Sequence, residues 1–116
     1  MNIPRLFENA RFVGKAEGEK LTYHVFEGPQ HFLVLSANSR GGFTLNPVAK
    51  EAPLIISRSF GGKRVTPQDV AGHSRRPDLF ALPFAAHNAL YVMVALGKAH
   101  KLKKKVGRAM NFKIKR

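Results

Sequence analysis

The chain contains no cysteine. Disulfides and thiolate metal sites are therefore excluded, and a reducing, cytoplasmic setting is expected. No run approaches the ~18 apolar residues that a membrane-spanning helix needs. The opening MNIPRLFENARF carries no hydrophobic signal core, so no membrane partner is expected. The five histidines show neither H-x-x-H nor H-E-x-x-H spacing, which argues against a metal site. No acid follows Asp78, so Pro77-Asp78 lacks the second carboxylate of a metal-dependent nuclease. The serines have no nucleophile elbow or lysine partner, and the glycine pairs at 41–42 and 61–62 match no phosphate-binding fingerprint. The expectation is a protein that is not an enzyme and carries no cofactor.

What the chain has is positive charge, unevenly spread. The net charge is +13 over 116 residues. In residues 1–56 six Lys/Arg face five acids, whereas in residues 57–116 the other fourteen face only Asp69 and Asp78. Solubility needs no such segregation. Basic charge gathered in one folded half points to a polyanion, and nucleic acid is the common one. The apolar fraction of 44% is that of a globular chain, with room for one domain or one domain and a small appendage.

The expected fold class is α+β. Residues 1–20 show little periodicity, with Ile3, Leu6, Phe7 and Phe12 suited to a short helix on the body. Leu21–Phe26 and His31–Ala37 are rich in β-formers, and Phe43–Leu45 resumes the apolar alternation after the turn chemistry of Asn38–Gly42. The first half thus reads as a three-stranded antiparallel meander, residues 1–46. Asn46-Pro47 marks the change to a basic second part, residues 47–116. A helix is expected from about Ala52, with Pro53 in its first turn, ending at Gly61-Gly62. Thr66-Pro67-Gln68-Asp69 has the pattern of a capping box and opens a short helix that ends near Gly72 or His73. Ser74–Asp78 is a basic connection. A third helix runs from about Pro83 to Leu96, with Phe84, Leu90, Met93 and Val94 as expected core, and Gly97 as its stop. Met110, Phe112 and Ile114 alternate with Asn111, Lys113 and Lys115, which makes the C-terminus a hairpin turned at Gly107.

Helix, short capped helix, longer helix and basic hairpin, taken from Ala52, resemble the winged helix-turn-helix superfamily over residues ~50–116. The resemblance implies that the helix of residues 83–96 is a recognition helix and residues 98–116 a wing. It also implies that His87, Asn88 and Tyr91 lie on an exposed face that enters the major groove. Asn can bond an adenine edge and Tyr can donate to phosphate. Around the wing tip, Lys101, Lys103, Lys104, Lys105 and Arg108 suit phosphate contact, with alternation expected to put Lys101, Lys103 and Lys105 on one face. Lys63-Arg64 and Arg75-Arg76 flank the short helix and suit backbone clamping. The connection over residues 74–82 is longer than the usual turn.

The expected function is a small regulator that binds double-stranded DNA, its neutral N-terminal half serving a homodimer or partner contact. An RNA-binding or ribosome-associated protein is the alternative, although the few aromatics of the basic half argue against stacking on single-stranded bases. A protein–protein adaptor with a basic face is a third reading.

Overall fold

Among the described residues four strands come first: β1 (Arg11–Glu17), β2 (Thr22–Glu27), β3 (His31–Ala37) and β4 (Phe43–Ala49). The computed structural model describes residues 8–38, 40–73, 75–80 and 83–116. The strands form an antiparallel sheet in sequential order. Val25, Val34 and Val48 stand on one face and are buried, because the helices cover that face. The loop from Asn38 to Gly42 closes as an Asx turn, Asn38 Oδ1 accepting from the backbone N–H of Arg40 and Gly42 at 3.0 and 3.1 Å.

Two expectations change here. The meander has four strands, not three, since residues 11–17 are extended and Phe12 belongs to β1. Ile3, Leu6 and Phe7 lie outside the described residues. Nor does Asn46-Pro47 end the sheet, because β4 runs on to Ala49. Pro47 is tolerated there because β4 is an edge strand, where a missing N–H need not break a ladder.

The second part opens with α1 (Ala52–Phe60), Pro53 lying in its first turn as expected. The chain leaves α1 through a turn at Gly61-Gly62 in which Lys63 N–H donates to the Phe60 carbonyl at 2.8 Å. Gly62 has φ 81°, the value that a type II turn demands of its third residue. A two-residue strand, β5 (Arg64–Val65), leads into α2 (Pro67–His73). The capping box is present: Asp69 N–H donates to Thr66 Oγ1 at 3.1 Å, and Thr66 N–H to Asp69 Oδ2 at 2.8 Å.

The basic connection holds an unexpected helical turn, α3 (Pro77–Phe80), whose Phe80 is fully buried. Then come α4 (Pro83–Ala95) and the hairpin of β6 (Ala99–Val106) and β7 (Ala109–Ile114). Gly97 ends α4 in a Schellman motif, Lys98 N–H donating to the Met93 carbonyl and Gly97 N–H to that of Val94. β5 pairs with β7, giving a second antiparallel sheet of order β5-β7-β6.

α4 is the centre of the molecule. It touches all four strands of the first sheet as well as α1, α2, α3 and β6. Leu90, Val92 and Met93 are wholly buried, each such side chain contributing about 1.5–3 kcal/mol. Gly14 lets β1 cross the end of α4, since a Cβ there would lie 2.9 Å from the Ala95 carbonyl oxygen. One buried cluster runs from Ala16 and Val25 through Ile56 and Leu90 to Phe112 and Ile114, so both parts of the chain share a core. Among the described residues no helix is long and apolar enough to cross a membrane.

Candidate nucleic-acid interface

The face of α4 expected to read bases is covered. Asn88 is 6% exposed and Tyr91 4%. Asn88 Nδ2 donates to the Phe84 carbonyl one turn back at 2.9 Å. Tyr91 stacks on Tyr23 of β2, ring centres 4.1 Å apart, and the half-buried His87 lies beside it at 5.5 Å. The first sheet lies where an exposed reading face was expected. Asn88 and Leu90 do point to different sides of the helix, yet both are buried, because α4 has packing partners on both of those sides. Phe84, expected in the core, is 57% exposed instead. The signal was in the sequence: PFAAHNALYVMVA contains no charged residue, and a helix with no polar stripe is mostly buried.

Burial pushes the His87 imidazole below its ordinary value and the Tyr91 phenol above its own, the nearby Tyr23 adding to the latter. The linkage sign follows. Unfolded His87 takes up protons more readily than folded His87, so its contribution to stability is complete above about pH 6.5 and declines as pH falls through that value. Denaturant unfolding between about pH 5 and 8 should show this slope, and His87→Gln should flatten it. An unchanged slope in the variant would assign the effect to other groups.

The wing lysines divide into two sets. Lys101 Nζ donates to the Gly18 carbonyl at 3.2 Å, and Lys105 pairs with Glu19, so both tie the hairpin to the β1–β2 turn. Lys103, Lys104 and Arg108 are exposed and form no ion pair among the described residues. Lys101, Lys103 and Lys105 do not share a regular face: the β6–β7 register shifts between Leu102 and Val106, so strand alternation fails at Lys103–Lys105.

A second basic region is assembled from distant sequence. α1, β5 and the loop after α2 line a cleft of about 970 Å³ holding Arg58, Lys63, Arg64, Arg75 and Arg76. Asp69 also lines it, but its carboxylate is committed to the α2 cap. Arg76 differs from the others. It bridges Glu51 at 3.1 Å and Asp78 at 2.9 Å; these carboxylates keep it firmly protonated, and it holds the Asp78 carboxyl below its ordinary value. The expected clamp Arg75-Arg76 is therefore half occupied by acids of the protein itself. Arg58, Lys63, Arg64 and Arg75 are exposed and have no ion-pair partner among the described residues.

Arg64 is also paired in register with Lys113 on the second sheet. Directly opposed like charges destabilise a sheet, so this pair favours an incoming anion. Lys113 Nζ donates to the Gly62 carbonyl, and the Arg116 side chain passes over Gly62. Sequence reading named Lys63, Arg64 and Arg75 but not Arg58, Lys113 or Arg116. The β5–β7 pairing that gathers them spans some fifty residues and leaves no local pattern. No protein-family model, curated protein or solved structure matches this chain.

Proposed function

We propose that the protein binds double-stranded nucleic acid, DNA above all, and that it does so as a binding module rather than an enzyme. The observation that carries this reading is the cleft of four cations, Arg58, Lys63, Arg64 and Arg75, that have no ion-pair partner among the described residues, beside an Asp69 that is already bonded. Exposed cations without an ion-pair partner among the described residues suit phosphate contact, and phosphate contact supplies most of non-specific affinity. The exposed Lys103, Lys104 and Arg108 at the hairpin add a second point of attachment. The element order from α1 and the β5-β7-β6 pairing support the winged-helix resemblance. In this reading, however, α4 works as a structural axle, and the cationic surfaces beside it make the contact.

Titration of a fluorescent duplex at several salt concentrations tests the proposal. At about 0.9 per neutralised phosphate, the four cleft cations alone set a slope of log K against log salt near −3.6. A flat response, or no binding at low salt, would contradict it. Parallel titrations with RNA duplex, and digestion of any co-purifying 260 nm material with DNase or RNase, separate the two nucleic acids.

A further inference from the structure

The cleft between the first sheet and the N-terminal half of α4 is a different kind of site. It measures about 840 Å³ and is lined mostly by carbon, with Tyr23, Ser36, Phe84, His87, Asn88 and Tyr91 among its walls. Three rings form a continuous stack: Tyr23 on Tyr91 at 4.1 Å and Tyr91 beside His87 at 5.5 Å, with interplanar angles of 15° and 21°. Phe84, on the same helix face as His87 and one turn before it, leaves 57% of its surface open at the rim, and Leu21 leaves 41%.

Polar groups converge on these rings without partners. Ser36 is only 5% exposed, and its hydroxyl makes no hydrogen bond among the described residues. Asn88 is 6% exposed, spends its Nδ2 on the Phe84 carbonyl, and keeps its Oδ1 unbonded. Neither oxygen is sealed off, so both open onto the cleft. An apolar cleft with two accessible, unbonded oxygens in its wall has the polar groups that orient a small ligand. The walls carry no net charge, Glu19 and Lys20 offsetting one another at the edge.

We propose that this cleft binds a free, uncharged, planar heteroaromatic ring of the nucleobase class. The ring face stacks on the His87 and Phe84 side of the aromatic wall. Its edge gives a donor to Asn88 Oδ1 and exchanges a hydrogen bond with the Ser36 hydroxyl. Burial keeps His87 neutral near pH 7, so an uncharged ligand meets no buried cation. Because the walls come from both the first sheet and α4, a bound ring bridges the two. This site stands independently of the basic cleft.

The fluorescent nucleoside 2-aminopurine riboside is the probe, since its emission falls when it stacks. The chain has no tryptophan and two tyrosines, both in this cleft, so intrinsic emission from the whole protein reports on the same place. Saturable quenching of the probe, matched by a change in tyrosine emission and competed by adenosine or guanosine, is the expected result. Phe84→Ala should weaken binding roughly five- to hundredfold, as loss of one base-stacking contact does. Thr44→Trp, at an exposed lining position, should block the cleft without touching the core. Melting curves identify either variant if it fails to fold, and the other then carries the test. An absence of saturable quenching in the native protein, or a Thr44→Trp variant that folds and binds as before, would overturn the proposal. Duplex binding that survives in Thr44→Trp supports two separate sites. Its loss together with nucleoside binding in a folded variant would show that the cleft is not independent.

Discussion

Phe112→Ala is expected to lower the unfolding free energy by about 3–5 kcal/mol, the range for removing a buried aromatic ring. Phe112 is fully buried in the middle of β7, where it pairs with Val65 on one side and Lys101 on the other. Its ring meets that of Tyr91 edge-on, centres 6.2 Å apart. Tyr91 in turn stacks on Tyr23 of the first sheet, so the substitution undermines contacts in both parts of the chain. Against a total stability of roughly 5–15 kcal/mol, such a loss leaves little margin. Because the core is shared, one cooperative transition should move down by on the order of 15 °C. Calorimetry would contradict this if two transitions appeared and only one of them shifted.

Replacing Arg58, Lys63, Arg64 and Arg75 together by alanine should have the largest effect on binding. These side chains are exposed and support no ion pair among the described residues, so the native fold should persist in circular dichroism. The salt slope of duplex binding should fall by about 3.6, at about 0.9 for each phosphate contact removed. Affinity should drop by similar factors for all sequences, because phosphate contacts position a protein without reading bases. A slope that stays near its native value would remove the cleft from the interface. Arg76 makes a useful contrast: it is held by Glu51 and Asp78, so Arg76→Ala should change the slope much less.

Much of the local structure is legible in the residues. The Thr66–Asp69 box, the stops at Gly61-Gly62 and Gly97, and the Asn38–Gly42 loop are each set by side chains or glycine conformations within five residues. They formed where expected. The longer-range features were not local. A four-stranded sheet lies across α4, and no pattern in β1 alone announces that, because Gly14 and the register shift between Phe12 and Gly14 interrupt its alternation. The uncharged run of α4 did carry the information that both its faces are buried. The winged-helix resemblance implies a half-exposed helix, and the composition of α4 argues against it. The division of the wing lysines depended on where Gly18 and Glu19 come to rest, some eighty residues away in sequence.

The most direct test is a map of backbone amide shifts as a short DNA duplex is added to isotopically labelled protein. If the cationic surfaces beside α4 make the contact, the changes should gather at Arg58, Lys63, Arg64 and Arg75, with a second group at Lys103, Lys104 and Arg108. His87, Asn88 and Tyr91 should stay near their free positions, since the first sheet covers them. Changes centred on His87–Tyr91, accompanied by loss of the Tyr23–Tyr91 contact, would contradict this. The duplex would then displace the sheet and use α4 as its reader.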